Sequence, residues 1–345
     1  MPITSLILAD DLTGALDSAV GFADPDVTVL VARSADAIPV ALDQRPDVLS
    51  VNTSSREIAP ERAAERIAAA LAHLDPAHIS LVFKKVDSRL KGNVGIETAA
   101  LAEWAGRSRS LACPAIPGMG RRVERGALSG SGVATPIPVA ACFDHPVEVP
   151  DVHSDEDLDA LCVGSVSDTL WIGARGLSFA LARSLGVAAP ASASLKEPIL
   201  ILNGSRDPVT LAQVEALKDI SAIVSAPDGM VPDTTPQSAT TLLDLTDGGA
   251  NLSGPIVAER FAEGAAKLAR RCQPAALLIC GGETAQACLD QFGLNSLRVK
   301  AELRPGLPVC EADLGWGQIQ IVTKSGGFGA ADLLADIVKE TGGRV

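Results

Sequence analysis

The chain has 345 residues, 47% of them hydrophobic and 21% charged, with 42 acidic against 29 basic side chains for a formal net charge of −13. This composition excludes a largely disordered chain, and the length suggests about two domains. With an acidic balance, 3% aromatics and no Tyr, the chain lacks both the basic face that meets phosphate backbones and the rings that stack on bases, so no nucleic-acid partner is expected.

In chain order, short apolar runs at 4–9, 27–32, 47–51, 79–86, 110–114 and 168–172 read as strands. Between them lie helical patterns. The clearest is 60–74, where Pro60 suits a first helical position and Ile67, Leu71 and Leu74 recur at helical spacing. The Pro-rich stretch 132–150 reads as a loop, and 175–185 as a helix. The segment 187–197 is small, Pro-containing and poor in large apolar side chains, which marks a boundary. Beyond it come a strand at 198–202, a helix at 208–219 opened by Pro208, and strands near 221–225, 241–246, 275–280 and 318–323. Helices are expected at 256–271, 283–291 and 328–340. Alternation of this kind implies two α/β domains with largely parallel sheets, 1–189 and 190–345.

The longest apolar runs fall far short of the roughly 20 residues of a membrane span, so no membrane partner is expected. The first residues show no basic and apolar succession of a secretory signal. The seven Cys (Cys113, Cys142, Cys162, Cys272, Cys280, Cys288 and Cys310) are odd in number and form no C-x-x-C, which fits a reducing cytoplasm. The four His have no ligand spacing, and no metal-ligating residues are expected.

Ligands of open α/β sheets bind beyond the carboxyl ends of strands, and the unusual segments fall there. In Asp10-Asp11-Leu12-Thr13-Gly14, two adjacent carboxylates could accept a proton and hold a hydroxyl or metal; Asp11 or Thr13 could equally cap the next helix. Lys84-Lys85-Val86-Asp87-Ser88-Arg89-Leu90-Lys91-Gly92-Asn93 gathers four cations around one acid, which suits an anionic substrate, against the alternative of a solvated edge. Pro114-Ala115-Ile116-Pro117-Gly118-Met119-Gly120-Arg121-Arg122 offers Arg forks for a carboxylate or phosphate, or is a surface turn. Asn203-Gly204-Ser205-Arg206-Asp207, Cys280-Gly281-Gly282-Glu283-Thr284 and Lys324-Ser325-Gly326-Gly327-Phe328-Gly329 are joints between strand and helix. Glycine there lets a backbone approach phosphate, although Gly also serves turn geometry alone. No Walker A loop and no G-x-G-x-x-G after a first strand is present. A dehalogenase-type phosphatase is excluded because Ala9 stands where its nucleophile would be.

Taken together and in this order, these segments resemble the four-carbon acid sugar kinase family over nearly the whole chain. The marks are Ala9–Ala15, Lys85–Asn93, Pro114–Pro117, Gly204-Ser205 with Thr210 and Gln213, Gly281–Thr284 and Lys324–Gly329. The resemblance implies an N-terminal domain for the acid, a C-terminal domain for ATP, and an active-site cleft between the domains. It further implies phosphorylation of the terminal hydroxyl of a threonate-, erythronate- or oxo-tetronate-type acid, with Mg²⁺ on the ATP phosphates. Carried over by motif, Asp10, Asp11 and Lys85 would be catalytic. Arg56, Asp87, Arg89 and Arg121 would bind substrate, and Ser205, Gly281, Gly282, Glu283, Thr284, Lys324, Gly326 and Gly327 would bind ATP. The choice of base between Asp10 and Asp11 stays open. The chain departs from the family pattern at Gly327, often Asn, at Ala127, where a His is usual, and in a shorter 125–165 region. A kinase for another hydroxy acid and a non-catalytic sensor of sugar acid or nucleotide are the alternatives.

Two anionic ligands sit awkwardly with a charge of −13 unless the cations are gathered. Residues 84–91 carry a local +3 and 121–125 a local +2. The expectation is therefore an acidic surface with these two segments adjacent at one site.

Overall fold

Short runs of Leu, Ile and Val, apolar on both faces, form the central strands of two α/β units. The computed structural model describes residues 4–342. The first unit holds the described residues through Ala191 together with Ser296–Lys300, and the second holds Ser192–Asn295 with the described residues from Ala301 onward. The sequence suggested a single division at 189/190.

In the first unit, β1 (Ser5–Ala9), β2 (Val29–Ala32), β3 (Val48–Asn52), β4 (Leu81–Lys85), β5 (Arg109–Cys113) and a later strand, Thr169–Gly173, build the sheet. Helices α1 (Leu12–Ala19), α2 (Ile38–Asp43), α3 (Pro60–Leu71), α4 (Val94–Ala105), α5 (Asp155–Leu161) and α6 (Arg175–Ser184) connect them. The six strands are parallel in the order β2-β3-β1-β4-(169–173)-β5, and Ser296–Val299 pair antiparallel with β2. β3 lies on one side of β1 and β4 on the other, so the winding reverses at β1. In open parallel sheets ligands bind at such a reversal, beyond the strand's carboxyl end.

The Pro-rich stretch 132–150 reads as a loop, but its residues Val133–Pro138 form the third strand of a small antiparallel sheet. Its strands are β6 (Arg121–Glu124), β7 (Ala127–Gly130) and β8 (Val133–Pro138), with Thr169–Gly173 following as β9. Arg125 and Gly126, both at positive φ (50° and 75°), form the two-residue turn between β6 and β7. Pro136 and Pro138 are tolerated because β8 pairs on one side only.

The second unit contains β10 (Ile199–Asn203), α7 (Pro208–Ala216), β11 (Ala222–Pro227), β12 (Thr240–Thr246), α8 (Gly254–Cys272), β13 (Ala276–Cys280) and α9 (Gly282–Gln291). It continues with the end of β14 (Ser296–Arg304, whose first five residues belong to the first unit), β15 (Leu307–Leu314), β16 (Gly317–Lys324) and α10 (Leu333–Gly342). β11-β12-β10-β13-β16 are parallel, and β15 turns back antiparallel on β16. Ile201, Leu242, Leu278, Val322 and Leu334 pack into its core. α10 begins five residues later than the sequence suggested, because the segment after Lys324 first forms a loop.

Phe83 is fully buried at the middle of β4. Phe83→Ala is expected to cost about 3–5 kcal/mol, read as a lower denaturant midpoint at unchanged slope.

Candidate active site

In the first unit, strand register sets the candidate site. Ala9 partners both Asn52 and Lys85, and Gly173 partners both Lys85 and Cys113, so five parallel strands end at one level. Asp10 follows β1 directly and is 2% exposed. Arg56, in the loop after β3, grips it through two parallel hydrogen bonds, Nε to Oδ2 at 2.8 Å and Nη2 to Oδ1 at 2.9 Å. Its Nη1 also donates to Asp11 Oδ2 at 2.9 Å and lies 3.8 Å from Asp87 Oδ2. One guanidinium thus joins three loops. Burial would push the Asp10 carboxyl up, but Arg56 hydrogen bonds and the charges of Lys84, Arg56 and Lys85 outweigh it and hold the group below its ordinary range. For Arg56, burial is likewise outweighed by Asp10, Asp11 and Asp87, which keep the guanidinium charged.

Asp11 caps α1, accepting from Gly14 N at 2.8 Å and from Thr13 Oγ1 at 2.9 Å. Capping does not exclude chemistry, since its side chain remains 28% exposed. Lys85 Nζ makes a single hydrogen bond, to the Val86 carbonyl at 2.9 Å, and meets no carboxylate among the described residues. Two of its three donors are unspent on a residue that is 6% exposed. A Cβ at Gly14 would sit 2.5 Å from Asp11 Oδ1 and 2.9 Å from Lys85 Nζ, so only glycine lets both groups approach the first turn of α1.

Lys84, one residue back, points to the opposite face and pairs with Glu97 of α4 at 2.8 Å, both fully buried. It is therefore a neutralised structural cation, which corrects its count in the local +3. The remaining cations do meet. Arg121 Nη1 donates to Ser88 Oγ at 2.9 Å and its Nε to the Ser131 carbonyl at 2.8 Å. Burial, then repulsion from Arg89, lower the Arg121 pKa, with Asp87 opposing. Arg89 has no side-chain hydrogen bond or ion pair among the described residues. Its backbone N–H is held by Asp87 Oδ1 at 2.9 Å. Two neighbouring guanidinia with unspent donors suit an anion.

In the second unit, Asn203, Cys280 and Lys324 are register partners at the ends of β10, β13 and β16, so the three Gly-rich joints begin side by side. Asn203 Oδ1 accepts from Ser205 N, Ser205 Oγ accepts from Asp207 N, and Asp207 Oδ1 caps α7 through Val209 N. A Cβ at Gly204 would collide with Thr284 Oγ1, and one at Gly326 would lie 2.6 Å from Ser205 Oγ. Gly281 begins α9 at φ 103°, with Gly282 and Glu283 exposed at its uncapped first turn. Ser205, Gly281, Gly282, Glu283, Thr284, Gly326 and Gly327 thus fall on three touching turns. Lys324 does not face a ligand position, contrary to expectation. It is 1% exposed and its ammonium is enclosed by Thr210 and loop carbonyls.

A cavity of about 420 Å³ opens at the other end of this sheet, among Pro198, Leu200, Thr241 and Cys272. Its one charged residue, Arg271, is already paired with Asp233. The convergent polar groups lie at the carboxyl ends instead. Sequence reasoning missed Glu97 and Ser88, whose roles depend on partners distant in sequence.

Glu97→Ala leaves Lys84 buried and unpaired, and a loss of about 3–5 kcal/mol is expected in denaturant melts. The lowered Asp10 pKa means its contribution is present above the ordinary value of 3.8 and is lost as pH falls through the folded value. The acid-side loss of stability between pH 5 and about pH 2 is therefore expected to be smaller in Asp10→Asn, measured by melts along that range.

Two family models match the chain: a sugar-binding N-terminal domain over residues 5–155 and a nucleotide-binding C-terminal domain over 230–334. The chain is 27% identical to a D-threonate kinase of Cupriavidus necator, covering 94% of this chain and 95% of the relative. It is 26% identical to a 3-oxo-tetronate kinase of Methylobacterium radiotolerans, covering 94% and 96%. The first alignment runs over 401 residues against the 345 of this chain. A solved structure from Salmonella typhimurium superposes with a TM-score of 0.75 at 18% identity, covering 98% of this chain and 99% of the other. One from Haemophilus influenzae gives 0.71 at 19%, covering 97% and 99%. These two share the fold. With both domain models matched in order and relatives of this kind along its whole length, the chain belongs to the four-carbon acid sugar kinase family.

Proposed function

We propose that the protein transfers the γ-phosphoryl group of ATP to the terminal hydroxyl of a four-carbon sugar acid. The observation that carries this reading is Lys85: a nearly buried ammonium with two unspent donors, beside a helix-capping carboxylate at the sheet's reversal point. A cation so placed has little structural use and suits a developing negative charge.

Arg121 and Arg89 hold the acid's carboxylate, which also relieves their mutual repulsion. Asp10, occupied on both oxygens by Arg56, fixes the loops rather than taking a proton. Asp11 is the better proton acceptor because its carboxylate is the more exposed of the two. In a loose transfer the proton leaves late and the carboxylate chiefly orients the hydroxyl. Lys85 neutralises the transferring group. The unpaired N–H groups of the three Gly-rich turns fit nucleotide phosphates. No group of three metal-ligating side chains exists among the described residues, so Mg²⁺ would ride on those phosphates, where it supplies charge neutralisation.

In a coupled ADP-release assay, turnover is expected with at least one of D-threonate, D-erythronate and 3-oxo-tetronate. Absence of turnover with all three would sink the specific reading, and binding without turnover would point to a sensor. Asp11→Asn is expected to lower kcat by about 10²-fold or more. Arg121→Gln should raise the sugar-acid KM about ten-fold or more and leave the ATP KM unchanged.

A further inference from the structure

We infer that Lys324 is a positioning residue for nucleotide binding: from beneath the 325–329 turn it draws the loop carbonyls inward and so turns their N–H groups out as an anion cradle. This rests on the nucleotide reading of the second unit.

Lys324 Nζ has four acceptors for its three N–H donors, so at least two share one: Thr210 Oγ1 at 2.9 Å and the carbonyls of Ser325 at 3.0 Å, Gly326 at 3.3 Å and Phe328 at 3.3 Å. Thr210 Oγ1 in turn donates a hydrogen bond to the Gly326 carbonyl at 2.6 Å. Gln213 Nε2 donates to the carbonyls of Phe328 at 3.0 Å and Ala330 at 2.7 Å. Three side chains from β16 and α7 therefore collect four loop carbonyls on one side. In a planar trans peptide the carbonyl and the following N–H point in opposite directions. Carbonyls 325, 326 and 328 face the lysine, so the N–H groups of Gly326, Gly327 and Gly329 face away from it. None of these three finds an acceptor among the described residues.

Glycine at these positions keeps the cradle open. A Cβ at Gly326 would press on Ser205 Oγ, one at Gly327 would meet Asp207 Oδ2 at 3.2 Å, and Gly329 sits at φ 89°. Burying a cation that touches no ligand is costly, and burial lowers the Lys324 pKa, with the Asp207 carboxylate opposing. The return on that cost is three peptide dipoles fixed in one direction.

The test compares the full-length chain with Lys324→Met, Lys324→Arg and Thr210→Val. Mg-ATP affinity is measured by calorimetry, thermal midpoint by far-UV dichroism, and ligand-free hydrogen exchange over 324–333. In Lys324→Met, Mg-ATP binding is expected to weaken about ten-fold or more in a protein that still unfolds cooperatively, with faster loop exchange. Lys324→Arg should recover part of the affinity, and Thr210→Val should show a smaller loss in the same direction. Wild-type Mg-ATP affinity in a folded Lys324→Met would overturn the inference. If that variant does not fold, unchanged affinity in Thr210→Val overturns it. A wild-type chain that binds no Mg-ATP overturns the nucleotide reading, whereas unchanged loop exchange in Lys324→Met overturns the positioning role itself.

Discussion

In each unit the parallel strands run out at one level, and every candidate residue inherits its position from that register. Ala9, Asn52, Lys85, Gly173 and Cys113 form one such row, and Asn203, Cys280 and Lys324 another. A residue just beyond such a row has lost its ladder partners and must satisfy its backbone and charge locally. That is why Asp10, Asp11 and Arg56 interlock, and why the Gly-rich turns of the second unit lean on one another. A one-residue slip of β4 would exchange Lys84 and Lys85 between faces, burying the cation meant for the site.

The electrostatics follow from that exchange of faces. Two lysines, Lys84 and Lys324, are enclosed near strand ends and work on the protein itself, one on Glu97 and one on loop carbonyls. Lys85, Arg89 and Arg121 keep donors unspent. A net charge of −13 is compatible with anionic ligands because function depends on these few unspent cations, not on the total.

Much of this was legible in the sequence, for identifiable reasons. Central strands such as Ile199–Asn203 and Ala276–Cys280 are continuous apolar runs, and so stand out. β14 does not. Its Leu297, Val299, Ala301 and Leu303 face inward and alternate with Arg298, Lys300, Glu302 and Arg304, a half-exposed pattern without an apolar run. Nor does β15, whose apolar start gives way to Glu311-Ala312-Asp313; β8 is masked by Pro136 and Pro138, and β6 and β7 are four residues each with no apolar run. The acidic pair and the Gly-rich joints were visible by composition. The division of labour among lysines was not, because whether a lysine is spent depends on Glu97 for Lys84 and on Thr210 and the loop carbonyls for Lys324, which meet it only in the folded chain.

Ser296–Lys300 belong to the first unit although about a hundred residues of the second precede them. Ser296–Val299 close the edge of β2, whose other neighbour is β3. During synthesis, then, the amino-terminal unit emerges with an open row of backbone donors and acceptors, and only chain made much later can cover it. Its folding is finished from the far side of the sequence, so a fragment cut near residue 191 would carry that bare edge permanently.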